Sequence, residues 1–344
     1  MNKHQTGFTL VELMVALVLG LLIVAAGLMV FLTGQRSMGM QVGLSDVQQS
    51  SNFGLGTMAY DLRHTNLNTP SNQVINNKIV GSGVIFSNAN YPESMRTMTN
   101  LEDYLTSESV GEDATTGKSD QLVIQFVPEY EEIESDITVE KDGEAVPARQ
   151  VNVIARNSDC EGNAINFVSN NNGVAGTDPI PLKPTMVYRY FLDKLPPEQQ
   201  VAGENTRYGL YCDAGHYFTG DAAIRGMGNN SAQLLIQNVD AFKVRFGVKN
   251  PAGNYRYTGI NNYKNTLMPP PADDTSLGIN VVSIEVGLLM SSTQSIGADA
   301  SLNTRNTFNI AGNNVTLKAN AANSKYLRQE VNQVVGFRNT LGGS

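Results

Sequence analysis

Apolar residues fall along this chain in two different ways. Residues 13–32, LMVALVLGLLIVAAGLMVFL, run without a charge. At about 1.5 Å of rise per residue, such a helix covers roughly the 30 Å hydrocarbon core of a bilayer. Gly20 and Gly27 lower its helix propensity, but in lipid the backbone satisfies its hydrogen bonds internally, so the helical reading stands. Past Arg36 the pattern changes. Met40, Leu44, Val47, Leu55, Met58 and Leu62 recur at three- and four-residue steps, with polar Ser51 between them, which predicts that the same helix continues as an amphipathic one. Gly34, Gly39, Gly43, Gly54 and Gly56 interrupt it and cost about 0.8–1 kcal/mol each against alanine, so this half is expected to be soft. Asn66, Asn68 and Pro70 supply a stop.

Downstream the period shortens. Residues 122–127, 151–155, 164–168, 187–192, 234–236, 242–248 and 281–289 are short strand-like stretches, and they predict an antiparallel sheet rather than a doubly wound nucleotide-binding fold. The expected fold class is α+β: a long amino-terminal membrane-spanning helix followed by a largely antiparallel β globular domain. The chain divides into a leader over residues 1–7, a transmembrane and extended helix over 8–69, and a globular domain over 70–344. Near 250–278, Asn and Tyr residues and Pro269-Pro270-Pro271 mark a long exposed loop.

Composition then narrows the function classes. A formal net charge of −8 disfavours nonspecific nucleic-acid binding, which rewards concentrated Lys and Arg. Cys160 and Cys212 are the two cysteines and both lie beyond the span. A single pair suits a disulfide in an oxidising extracytoplasmic space, with reduced core thiols as the competing reading. The acidic run Glu129-Tyr130-Glu131-Glu132-Ile133-Glu134-Ser135-Asp136 reads as a solvated loop. A calcium site there would need several oxygens converging at about 2.3–2.6 Å, which proximity in sequence does not provide. His64 and His216 sit in no recognised arrangement of nucleophile, base and orienting acid. A phosphate-binding loop and a dinucleotide fingerprint are also missing from the sequence. No catalytic residue, metal or cofactor is assigned, and the chain is expected not to be an enzyme.

The segment Gly7-Phe8-Thr9-Leu10-Val11-Glu12-Leu13 resembles the class III signal of type IV prepilins and pseudopilins: a glycine boundary, an internal acid, then the span. Further landmarks are Tyr60-Asp61-Leu62-Arg63, Asp159-Cys160-Glu161-Gly162, Tyr208-Gly209-Leu210-Tyr211-Cys212, LLIQNVDAFKVRFG over 234–247, VVSIEVGLLMSS over 281–292 and Gly336-Phe337-Arg338-Asn339. In this order they resemble the PilW family of minor pilins.

The resemblance implies cleavage after Gly7 by a prepilin peptidase, N-methylation of Phe8 and an assembly role for Glu12. It implies a single-pass protein of the bacterial inner membrane with its carboxy-terminal domain outside the cytoplasm, incorporated into a pilus after processing. The partners it implies are other minor and major pilins, an inner-membrane assembly platform and membrane lipid; any DNA or surface ligand is unidentified. The implied role is support of pilus initiation, assembly or tip structure. A minor pseudopilin of type II secretion and a filament-tip adhesin or DNA-binding module are the alternatives. Cysteines are common in the family at the two landmarks, which supports an intramolecular Cys160–Cys212 disulfide, with Cys212 closing its strand-like run at an element boundary.

Physical chemistry bears on Glu12 independently. A charged carboxylate costs on the order of 2.5–3.5 kcal/mol at the centre of a membrane helix and less near its end, and so calls for a partner. In a chain starting at Phe8, the terminal ammonium and Glu12 stand at i and i+4, or pair between neighbouring subunits. Replacing Gly7 with alanine is expected to block most processing. Mass spectrometry of the membrane-extracted variant should find the full-length precursor, and normal conversion to a Phe8 terminus contradicts the assignment.

Overall fold

The computed structural model describes residues 7, 9–141, 143–169, 182–203, 205–228, 231–269, 278–295, 305–322 and 326–340. Phe8 and most of the proline-rich run after Met268 lie outside the described residues. One helix, α1 (Leu10–His64), contains the span and the amphipathic half without a break. Its 55 residues measure about 80 Å end to end. The uncharged part is exposed along its whole length, whereas Gly43, Val47, Ser51, Gly54, Leu55, Met58, Ala59, Asp61 and Leu62 are buried against the domain.

The buried stripe differs from the expected one at its start. Leu44 is 40% exposed and Gly43 takes the inward place. Small residues at 43, 51 and 54 let the helix backbone lie close to the sheet. A Cβ at Gly54 would run into the side chain of Ile236, so this glycine serves close packing rather than softness. Gly34, Gly39 and Gly56 have open space around them; the helix simply passes through them.

The strands are β1 (Ser107–Gly111), β2 (Ser119–Phe126), β3 (Tyr130–Lys141), β4 (Glu144–Ser158), β5 (Ala164–Ser169), β6 (Thr185–Lys194) and β7 (Tyr208–Tyr217). They continue with β8 (Gln233–Gln237), β9 (Val239–Lys249), β10 (Tyr255–Gly259), β11 (Asn280–Ser291), β12 (Thr307–Ile310), β13 (Asn313–Thr316) and β14 (Arg328–Gly336). Their pairings are antiparallel. A five-stranded sheet runs β1-β2-β6-β7-β8 and a four-stranded sheet β10-β9-β11-β14, with a β3-β4-β5 sheet and a β12-β13 hairpin beside them. The molecule is thus an α+β fold, a long apolar amino-terminal helix followed by a β-rich domain.

The inner face of α1, the five-stranded sheet and the four-stranded sheet share one core that includes Leu55, Met58, Leu62, Ile124, Tyr190, Phe242 and Phe246. A second cluster of Ile85, Tyr91, Val123, Val187 and Tyr217 covers the other face of the five-stranded sheet. Strand β2 is buried at every position for that reason. Asp120 of β2 joins the two large sheets: its Oδ1 accepts from Lys243 Nζ at 2.8 Å and its Oδ2 from the Val244 amide at 2.9 Å. Both side chains of this ion pair are nearly inaccessible, a geometry that holds only because the charges are paired and hydrogen-bonded.

Two segments read as loops contain ordered strands. The acidic run forms most of β3, the edge of its sheet, in register with β4 from Tyr130↔Ala155 to Lys141↔Glu144. Charged side chains are tolerated on an edge and discourage pairing with foreign strands. The expected loop near 250–278 instead places Tyr255–Gly259 against β9 as β10, followed by a helical turn in which Ile260 and Tyr263 are buried. Tyr263 packs on Phe86 at 4.8 Å between ring centroids, so aromatic burial draws the segment inward.

The end of α1 is fastened by polar contacts. Asn66, at φ +69°, accepts through Oδ1 from Ser71 Oγ and the Gly83 amide, both at 2.7 Å. Its own amide donates to the Gln125 carbonyl of β2 at 3.1 Å. One turn earlier, buried Asp61 accepts the Tyr190 hydroxyl of β6 at 2.7 Å. Burial pushes the Asp61 carboxyl up to about 6, against the opposing effects of the Tyr190 hydrogen bond and nearby His64. The folded state therefore holds this proton more tightly than the unfolded chain. The stabilisation is complete below about pH 4 and is lost as pH rises through about 6, on the order of 2–3 kcal/mol in total. Burial also raises Asp113, Asp120, Glu161 and Asp213, so they act in the same direction. Asp61→Asn keeps an acceptor for Tyr190 and should flatten the stability loss between pH 4.5 and pH 7.5. Denaturant titration at both values checks this, and an unchanged pH slope contradicts it.

Candidate functional site

Chemistry-bearing residues concentrate at three places along α1: its first turn, its outer face and its junction with the domain. At the first turn, Thr9 is the N-cap, and its Oγ1 accepts from the Glu12 amide at 3.3 Å. Glu12 Oε2 accepts in return from the Thr9 amide at 3.0 Å and the Thr9 hydroxyl at 3.1 Å. This reciprocal capping box satisfies two amides the helix start leaves open, and the carboxylate favours the positive end of the helix dipole. The signal was present in the sequence as Thr-x-x-Glu. It gives Glu12 a local role beside the pairing expected of it.

Glu12 Oε1 makes no hydrogen bond among the described residues. One oxygen of the carboxylate thus serves the helix and the other is available to a partner. The expected partner, the amine of Phe8, lies outside the described residues. Gly7 is exposed, and a Cβ there would meet nothing within 4 Å. Nothing within the described chain demands a glycine at this place.

Beyond the span, the outer face of α1 carries exposed apolar side chains set among polar Gln35, Ser45 and Gln49. Met38, Val42 and Phe53 are 68%, 51% and 76% exposed. At about 100° per residue they lie within roughly 60° of one another, opposite Val47, Gly54 and Met58. Phe53 is a large aromatic ring outside its own domain's core, and it lies off the inner stripe that the sequence pattern marks.

At the junction, Cys160 and Cys212 are joined by a disulfide with Cα atoms 6.1 Å apart. Cys160 sits in the turn between β4 and β5, where Asp159 Oδ1 accepts from the Glu161 and Asn163 amides at 3.0 and 2.7 Å. Glu161 Oε1 accepts the Ala214 amide of β7 at 2.9 Å. Cys212 is not at an element boundary. It is buried in the middle of β7, opposite Tyr190 of β6. The strand runs on through Asp213, Gly215 and His216, whose polarity hid its length in the sequence. The bond and the Glu161 contact together tie the β3-β4-β5 sheet to the five-stranded one.

His64 and His216 share no common site. His64 Nδ1 lies 2.9 Å from the Tyr60 carbonyl, and His216 packs against Phe167 with its imidazole pKa lowered by burial. No group of three or more His, Cys, Asp or Glu residues among the described residues is placed to hold a metal ion. One helix, α1, is long and apolar enough to cross a membrane.

Comparison with known families agrees with this layout. A family model described as Type IV Pilus-assembly protein W matches residues 203–339, and one described as Prokaryotic N-terminal methylation motif matches residues 2–28. No curated protein and no solved structure matches the chain. The chain therefore carries a PilW-like domain from just before β7 to the last turn, and an amino-terminal methylation motif that implies processing by a prepilin peptidase. These features support a minor-pilin-like role in pilus assembly.

Cys212 lies inside the PilW-like match and Cys160 before it. Closing a loop of roughly fifty residues is worth about 4 kcal/mol in the chain-entropy account. Cys160→Ser should lower domain stability by several kcal/mol and reduce steady-state protein. Urea titration with thiols blocked measures this, and an unshifted midpoint overturns the stabilising role.

Proposed function

We propose that this chain is a minor pilin, a structural subunit that enters a type IV pilus by its helix and supports filament initiation or the tip. The observation that carries the reading is the row of unpartnered apolar side chains on the outer side of α1. It runs from the span at residues 13–32 through Met38 and Val42 to Phe53, interspersed with polar residues and reaching past the point where the helix has joined its own domain. A surface this long gains by leaving water, since each fully buried side chain of this kind is worth about 1.5–3 kcal/mol. Lipid covers the first half before assembly; neighbouring helices cover both halves in a filament.

Glu12 completes the account. Its Oε1, unbonded among the described residues, offers a charged acceptor at the amino-terminal end of the helix to a terminal ammonium, on the same chain or on an adjacent subunit. The capping contact holds that acceptor in place by fixing the carboxylate to Thr9. Insertion into the membrane and entry into the filament are thereby separable steps, because the apolar span drives the first and surface complementarity drives the second.

Phe53→Asp and Glu12→Ala should each leave membrane insertion and leader processing intact while reducing the protein's presence in sheared, purified pili by about tenfold or more, equivalent to about 1.4 kcal/mol of interaction. Fractionation followed by immunoblotting distinguishes the steps. Undiminished association with pili for both variants contradicts the proposed route of entry. A clean deletion should remove surface pili with type II secretion intact.

A further inference from the structure

A cleft of about 510 Å³ opens where the end of α1 meets β2, β4 and the last turn of the chain. Its wall is aromatic: Tyr60 to His64, His64 to Phe126 and Phe126 to Tyr188 stand 4.5, 6.1 and 5.1 Å apart between ring centroids. Ile165 and Leu67 add apolar surface.

The rim carries three guanidinium groups in a protein whose net charge is −8. Arg156 is committed to Glu131, with Nε 2.7 Å from Oε1, and Glu129 also acts on it. Arg63 and Arg338 are exposed, and their side chains make no hydrogen bond or ion pair among the described residues. The fold brings both to the rim of one cleft. Asn339 Nδ2 donates to the carbonyls of Arg63 and Thr65 at 3.4 and 3.1 Å, stitching the last turn to the helix end. The helix dipole accounts for a cation at Arg63, but not for a second one supplied by Arg338 from the far end of the sequence. Asp61, at the inner end of the cleft, has one oxygen taken by Tyr190.

From this arrangement we infer that the cleft is a binding site for a carboxylate attached to an aromatic or branched apolar group. The volume falls within the range of small-ligand sites, which are mostly apolar with a few convergent polar groups. Guanidinium groups recognise a carboxylate by charge-assisted, forked hydrogen bonds. Two sources present that chemistry: the carboxy terminus of a polypeptide ending in such a residue, and a free aromatic acid.

The test uses the full chain in a neutral maltoside detergent and fluorine NMR. The probes are 3-(4-fluorophenyl)propionate, its amide, and the dipeptide acetyl-Gly-4-fluorophenylalanine with a free or an amidated carboxy terminus. Both acids should bind saturably, and both amides at least about tenfold more weakly. Arg63→Gln combined with Arg338→Gln should weaken acid binding by a similar factor without moving the melting temperature, because neither side chain has a hydrogen bond or ion pair to lose among the described residues. Tighter binding of the dipeptide acid than of the free acid assigns the site to a polypeptide terminus, and the reverse order assigns it to a free aromatic acid. Equal binding of acids and amides, or acid binding untouched in the double variant, overturns the inference and reduces the signal to micelle partitioning.

Discussion

The membrane-distal half of α1 has to satisfy two surroundings at once, and the rest of the structure depends on how it does so. One face must lie close enough to a sheet to bury Val47, Leu55, Met58 and Leu62. That closeness is possible because small residues, Gly43, Ser51 and Gly54, lie on the buried face, and Gly54 leaves room for the Ile236 side chain of β8. Hydrophobic packing alone fixes neither register nor rotation of a helix on a sheet. Directional contacts do: Asp61 with Tyr190, and Asn66 with Gly83 and Gln125. With the inner face set by these, the outer face of Met38, Val42 and Phe53 is left facing outward as a fixed consequence.

The domain is rigid enough to impose that orientation because its sheets are tied by more than apolar contact. The Asp120–Lys243 pair bridges the two large sheets with every strong donor and acceptor used. Arg328 and Asp240 make a second buried pair across the four-stranded sheet, with Nε 2.6 Å from Oδ2. The disulfide performs the corresponding task for the β3-β4-β5 sheet, which lies outside the PilW-like match. Such buried pairs contribute less to net stability than to a single arrangement, since removing one partner leaves the other charge uncompensated.

Much of the fold was legible in the sequence where burial is one-sided or complete. The apolar span, the inner helical stripe and the cores of β2, β4 to β6, β8, β9 and β11 announce themselves by period and composition. What escaped notice has physical causes. β3 looks like a loop because an edge strand carries glutamates freely, and β7 looks short because Asp213 is buried with Arg189 rather than exposed. β10 follows a turn at Asn250 and is held by Tyr263, a contact across the core that no local pattern encodes. At the site, Gly7 and Glu12 stand in a contiguous motif that lies within the matched residues 2–28. The capping role of Thr9 was equally readable from spacing, whereas Arg63 and Arg338 share a cleft only when the chain's last turn folds onto the helix end.

The central claim is that α1 keeps one face for its own domain and gives the other to neighbouring subunits. A photoreactive phenylalanine analogue placed singly at Met38, Val42 or Phe53, and in separate proteins at Val47 or Met58, tests it in assembled filaments. The outer positions should yield covalent adducts with other pilin subunits, and the inner positions only products within the same chain. Adducts to other subunits from Val47 and Met58, or none from the three outer positions, would contradict the account.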